Sequence, residues 1–159
     1  MADTKMNDLG AADERYMRMA LEEATRAAEM GEVPVGAVIV RGGEVIATAG
    51  NRRENDRRAT AHAELLAIEA ACEKAGSWRL HDCVLYVTLE PCPMCAGAIV
   101  NARVGRVVFG CKDARAGAMG SVLNLPSYPL NHRPLLTVGV CEEECRAVLR
   151  KFFEARRNK

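Results

Sequence analysis

Leu85-Tyr86-Val87-Thr88-Leu89-Glu90-Pro91-Cys92-Pro93-Met94-Cys95-Ala96-Gly97-Ala98 joins two kinds of structure with no linker between them. Val84 to Leu89 is a mixed apolar run of strand length. It passes directly into Glu90-Pro91-Cys92, where Pro91 favours the first turn of a new helix, and that helix is expected to reach about Ala102. Cys92 and Cys95 are three residues apart, so they share one helical face.

The same alternation holds on both sides. Upstream, Asp13 to Met30 carries Tyr16, Met17, Ala20, Leu21, Ala24, Ala27 and Ala28 at helical spacing, with Asp13 as N-cap and Gly31 as stop. Val35 to Val40 and Val45 to Ala49 read as two strands, and Gly42-Gly43 supplies the positive φ angles of a hairpin turn between them. Thr60 is the expected cap of a helix from Ala61 to Ala75, closed by Gly76. Downstream, Arg106 to Gly110 is a strand. A loop rich in Gly, Ala and Pro fills Cys111 to about Pro134, and Leu136 to Val140 is a last strand. The final helix has Cys145, Val148, Leu149, Phe152 and Phe153 on one stripe. Glu142, Glu143 and Glu144 occupy its first turn and Arg156 and Arg157 its end, which complements the dipole. A helix, a hairpin and then repeated helix-strand units imply an α/β layered domain with a mixed sheet, its first strand antiparallel to the bulk.

The chain has 159 residues, the length of one domain. Residues 13–159 are expected to form it, with residues 1–12 as a flexible leader that lacks the apolar core of a signal peptide. No apolar run approaches the roughly 18 residues of a membrane span, so no membrane partner and a cytoplasmic location are expected. Seven cysteines without a secretory signal argue for thiols or metal ligands rather than disulfides. A formal net charge of +1 gives no support for nucleic-acid binding by itself. The distribution says more: Arg52, Arg53, Arg57 and Arg58 cluster before one helix, Lys112 and Arg115 follow a strand end, and Arg150, Lys151, Arg156, Arg157 and Lys159 crowd the last helix. Converging on one pocket mouth they would form a phosphate footprint; otherwise they are solvated surface charge.

His62-Ala63-Glu64 opens one helix, and Cys92 and Cys95 open the next. One imidazole and two thiolates suit zinc, and three protein ligands leave a fourth position for water, which marks a catalytic rather than a structural site. Both groups sit at helix N-termini, where the dipole favours thiolates and developing negative charge. Glu64, two residues beyond the histidine, is placed to move a proton to and from that water. A structural zinc knot would need a fourth ligand from Cys72, Cys83 or Cys111, which read more simply as core filler. Cys141 and Cys145, four apart, could form a second metal pair, but no partner histidine is evident and Cys145 belongs to the apolar stripe.

His-x-Glu followed by Pro-Cys-x-x-Cys is the signature of zinc-dependent nucleobase deaminases. Beyond it, Val33 to Val38, Asn51-Arg52, Thr60 to Glu64, Leu85 to Ala98, Arg103 to Gly110, Asp113, Gly117, Gly120-Ser121 and Asn131-His132 resemble the bacterial tRNA-specific adenosine deaminases of the cytidine-deaminase-like superfamily, over about Asp13 to Arg157. The resemblance implies a three-layer α/β/α fold with a central mixed five-stranded sheet, and a homodimer that converts the wobble adenosine of a tRNA-Arg anticodon stem-loop to inosine. It implies one zinc ion per subunit on His62, Cys92 and Cys95, with Glu64 as proton shuttle. Asn51 would bond the base edge, the backbones of Ala63, Leu89 and Glu90 would line the pocket, Val33 would lie against the base, and Asp113 would complete the substrate contacts. A deaminase of free guanine or of a cytidine-type nucleoside would use the same metal chemistry. A zinc-stabilised binding module would leave Glu64 idle.

Overall fold

A computed structural model describes the backbone of residues 2–158 and the side-chain surroundings of residues 9–158. The chain runs α1 (Ala2–Glu29), β1 (Gly36–Arg41), β2 (Glu44–Gly50), α2 (Arg53–Asp56), α3 (Ala63–Ala75), β3 (Cys83–Leu89), α4 (Pro93–Asn101), β4 (Arg106–Cys111), β5 (Leu135–Val138) and α5 (Glu142–Arg157), with one 3-10 turn at Leu125–Ser127. The strands stand in the order β2-β1-β3-β4-β5. β1 is antiparallel to both β2 and β3, and β3, β4 and β5 are mutually parallel, so the sheet is mixed as expected.

Strand periodicity divides the core into two layers. Ala37, Ile39, Leu85, Val87, Val107 and Phe109 face α3 and α4, where they meet Ala67, Ala71 and Ile99. Val38, Val40, Tyr86 and Val108 face the other way, onto Tyr16, Met17 and Ala20 of α1 and Cys145 of α5. α1 lies so close to the sheet that a Cβ on Gly36 would sit 1.9 Å from the Ala20 carbonyl oxygen. Gly42 (φ 56°) and Gly43 (φ 79°) make the β1–β2 turn in the left-handed region, as the hairpin requires.

Several boundaries differ from the sequence reading. α1 begins at Ala2, eleven residues before the expected start, so Asp13 lies inside the helix and does not cap it. Asp13 is buried instead. Its carboxylate accepts from the Tyr86 hydroxyl (2.7 Å) and from Arg106 Nη1 (3.0 Å) and Nη2 (2.6 Å). Arg106 also donates to the Thr137 hydroxyl, so one network ties α1 to β3, β4 and β5. The carboxylate gains more from this tertiary partner than from a cap, and helix periodicity carries no trace of such a partner. α3 starts at Ala63 with His62, not Thr60, at the N-cap; α4 starts at Pro93 rather than Pro91, with Cys92 at its N-cap. β5 ends at Val138, two residues early. The short α2 has no apolar stripe to announce it and contains no buried residue.

Candidate active site

The parallel arrangement of β3 and β4 brings their C-terminal ends to the same edge of the sheet as the N-termini of α3 and α4. His62 and Cys92 are the extended N-cap residues of those helices (ψ 149° and 173°), and Cys95 lies in the first turn of α4. His62 Nδ1 is 3.6 Å from the sulfur of Cys92 and 3.6 Å from that of Cys95. The three ligand atoms lie within 4.8 Å of one another, the single such metal-binding group of its kind among the described residues. Tetrahedral zinc with bonds of about 2.3 Å to sulfur and 2.05 Å to nitrogen would separate N and S by about 3.5 Å. The donor set and its spacing therefore fit zinc. None of Cys72, Cys83, Cys111, Cys141 and Cys145 joins this group or forms another, and all five are free thiols.

The electrostatics favour a cation. A hydrogen bond with Cys95, helped by His62, lowers Cys92 to about 4 despite burial, so Cys92 is a thiolate. The hydrogen bond to Cys92 and then burial push the Cys95 thiol up. Bonding to Cys92 raises His62 against the effect of burial. Glu64 is 4 % exposed, and burial pushes its carboxyl upward although His62 and Cys95 oppose this.

Above this group is a pocket of about 210 Å³. His62, Ala63, Glu64 and Cys92 form its floor, and Cys95 is buried beneath. Val33, Val35, Asn51 and Arg53 also line it, as do Leu89, Glu90, Asp113 and Ala116. The Asn51 amide donates to the Val33 carbonyl (3.2 Å), and its oxygen accepts from the Arg53 N–H (3.2 Å), which fixes which end is which. Asp113 Oδ1 accepts from the backbone of Arg115 and Ala116 and closes its own turn. All ten residues singled out in the sequence therefore meet in or under one pocket.

The sequence reading did not place Val35 or Ala116 there, and offered Arg53 only as part of a basic cluster that could converge on a pocket mouth. Nor did it foresee that the Glu90 side chain is engaged by the loop after β4. Its carboxylate accepts from the N–H groups of Asp113 (3.1 Å), Met119 (3.0 Å) and Ser121 (3.1 Å) and from the Ser121 hydroxyl. Burial raises Glu90, but these bonds outweigh it and hold the group below the usual carboxylate range. Glu32, fully buried, does the same for the N–H groups of Glu54 (3.0 Å) and Asn55 (2.9 Å) and for the Asn55 side chain (2.6 Å). Bonds to main-chain N–H groups leave no residue pattern, so neither role had a signal. Of the basic clusters, Arg53 lines the pocket and Lys112 and Arg115 flank the wall residue Asp113. Arg156 of α5 donates to the carbonyl of Gly31, two residues before Val33.

The fold and this site define a deaminase: the model of the MafB19-like deaminase family matches residues 11–157, and the chain belongs to that family. Two Bacillus subtilis proteins locate it more narrowly. It is 52 % identical over 148 residues to the tRNA-specific adenosine deaminase of Bacillus subtilis (strain 168), covering 92 % of each chain. To the solved guanine deaminase of Bacillus subtilis it is 34 % identical, with a TM-score of 0.61 over 92 % of this chain and 94 % of that one. A solved protein from work on A-to-I editing by tRNA:A34 deaminases superposes with a TM-score of 0.83 at 46 % identity, over 85 % of this chain and 99 % of that one. The chain stands on the tRNA-specific adenosine deaminase branch of the family.

Proposed function

We propose that this protein hydrolyses the wobble adenosine 34 of a tRNA-Arg anticodon to inosine and releases ammonia. It would act as a cytoplasmic homodimer with residues 13–159 as one deaminase domain. No helix among the described residues is long and apolar enough to cross a membrane. The observation that carries the reading is the convergence of His62, Cys92 and Cys95 with buried Glu64 under a pocket of base size, between two basic segments.

His62, Cys92 and Cys95 would hold the zinc ion. When bound, zinc supplies Lewis-acid chemistry that brings the pKa of water toward about 7. Glu64 takes one proton from the attacking water and delivers it to the ring nitrogen beside carbon 6; it then takes the proton left on the hydroxyl at carbon 6 and delivers it to the amine, so that the C–N bond breaks, ammonia leaves and the carbonyl of inosine forms. Its burial suits this work, because a carboxylate stripped of solvent accepts a proton readily. Asn51, oriented by Val33 and Arg53, bonds the edge of the base, while Val33 packs on its face. The backbones of Ala63, Leu89 and Glu90 with Asp113 close the pocket around it. The target must leave its neighbours to enter, which a loop nucleotide does at low cost.

The test is turnover of an anticodon stem-loop with adenosine at the wobble position, beside guanine, cytidine and free adenosine. Inosine confined to the stem-loop is expected. Ammonia from free guanine alone would move the protein to the guanine-deaminase reading that the 34 % relative offers. Glu64→Gln should lower turnover by about 10²- to 10⁴-fold while zinc content stays at the wild-type level. Retained turnover would remove Glu64 from the mechanism.

A further inference from the structure

Glu32 and Glu90 are buried, 0 % and 2 % exposed, with no salt-bridge partner among the described residues. A buried carboxylate without a cation persists only where several donors point at it. Each of these two takes its donors from one segment at the pocket mouth. Glu32 holds the backbone of Glu54 and Asn55 in α2, and Glu90 holds that of Asp113, Met119 and Ser121 in the loop after β4.

Both segments put residues into the pocket wall: Arg53 from one, and Asp113 and Ala116 from the other. Both also carry exposed cations with no carboxylate partner among the described residues: Arg53, Arg57 and Arg58 on one side, Lys112 and Arg115 on the other. The backbone is constrained at each. Arg57 is a non-glycine residue at φ 52°, a conformation that persists only where its surroundings enforce it. Gly117 passes so close that a Cβ there would sit 2.4 Å from the Glu90 carboxylate.

We propose that Glu32 and Glu90 are positioning residues, each clamping one basic segment so that its cations meet the phosphates on either side of the splayed-out base. The proposal rests on the RNA reading above and adds to it the residues that orient the polyanion. Ordering the loops before the substrate arrives removes that cost from binding. A carboxylate is needed rather than an amide. Met119 and Ser121 N–H both aim at Glu90 Oε2, and Glu54 and Asn55 N–H divide between the two oxygens of Glu32. A glutamine would turn its own N–H groups on one of these donors.

The experiment is stem-loop kinetics of wild type, Glu32→Gln and Glu90→Gln across a salt series, with zinc content measured for each. The expected result is a KM raised about tenfold, kcat lowered no more than about threefold, and a salt slope smaller in magnitude by about 1 as phosphate contacts are lost. If a glutamine variant does not fold, Asn55→Ala and Ser121→Ala weaken the same clamps from the loop side and should raise KM by about threefold with the same change in slope. Wild-type KM and salt slope in the folded variants would overturn the clamp and leave the substrate reading intact. Loss of kcat at unchanged KM would overturn it as well. A wild type that neither binds nor turns over the stem-loop overturns the substrate reading, and the clamp falls with it.

Discussion

Replacing Asp13 tests the account of how α1 is held on the sheet. Its carboxylate is 5 % exposed and accepts three hydrogen bonds, one from Tyr86 and two from Arg106. The Asp13→Ala change leaves the guanidinium of Arg106 and the hydroxyl of Tyr86 without their acceptor. Removing one partner of a buried ion pair costs about 3–5 kcal/mol. The Arg106 side chain keeps 23 % of its exposure, so water can reach part of it and the cost belongs at the low end. We expect a loss of about 3 kcal/mol, which for a chain of this length lowers Tm by about 6–12 °C. Asp13→Asn keeps the shape and one acceptor and should lose about half as much. The assay is urea unfolding at fixed zinc concentration, since bound metal shifts apparent stability, with a double-mutant cycle against Arg106→Ala. A loss below about 1 kcal/mol, or a coupling near zero, would refute the claim that this pair docks α1.

Three other outcomes follow from the same geometry. Glu32 and Glu90 have folded pKa values below the ordinary 4.5, because hydrogen bonds outweigh burial at both. Their stabilisation is therefore complete above about pH 4.5 and is lost as pH falls through the lower folded values. Urea midpoints should decline on acidification in that window, and less steeply in Glu90→Gln; an unchanged slope would contradict the assignment. In metal-stripped protein, Cys92 should be the first of the seven cysteines alkylated at neutral pH, and added zinc should protect it. It is a half-buried thiolate at about 4, while Cys72, Cys83, Cys111, Cys141 and Cys145 are all raised by burial; peptide mass mapping reads the order directly. Gly36→Ala should destabilise the fold by about 3 kcal/mol or more, because the new Cβ meets the rigid Ala20 carbonyl rather than a flexible side chain, and a thermal melt near wild type would show that α1 can shift to relieve it.

Local chemistry made much of the molecule legible before any coordinates. The Gly42-Gly43 hairpin, the apolar runs of β1 and β3 and the stripe of α5 each depend on neighbours a few residues apart, and each is where the sequence puts it to within a residue or two. The group that could hold a metal ion was legible for a related reason. Metal chemistry restricts residue types and spacing so strongly that His62, Glu64, Cys92 and Cys95 stand out in one dimension, and the residues quoted for the tRNA branch extend that pattern along the chain. Only the tertiary structure decided what depends on distant partners. Asp13 has the residue type and position of a helix cap, yet its energy comes from Arg106, 93 residues away. Glu90 stands two residues before Cys92 in sequence, but its side chain works on Asp113, Met119 and Ser121. Glu32 and α2 gave no signal at all, because a carboxylate that holds main-chain N–H groups asks nothing of the side chains it secures, apart from Asn55. A pattern of side chains can announce bonds between side chains; bonds to the backbone are decided only when the chain has folded.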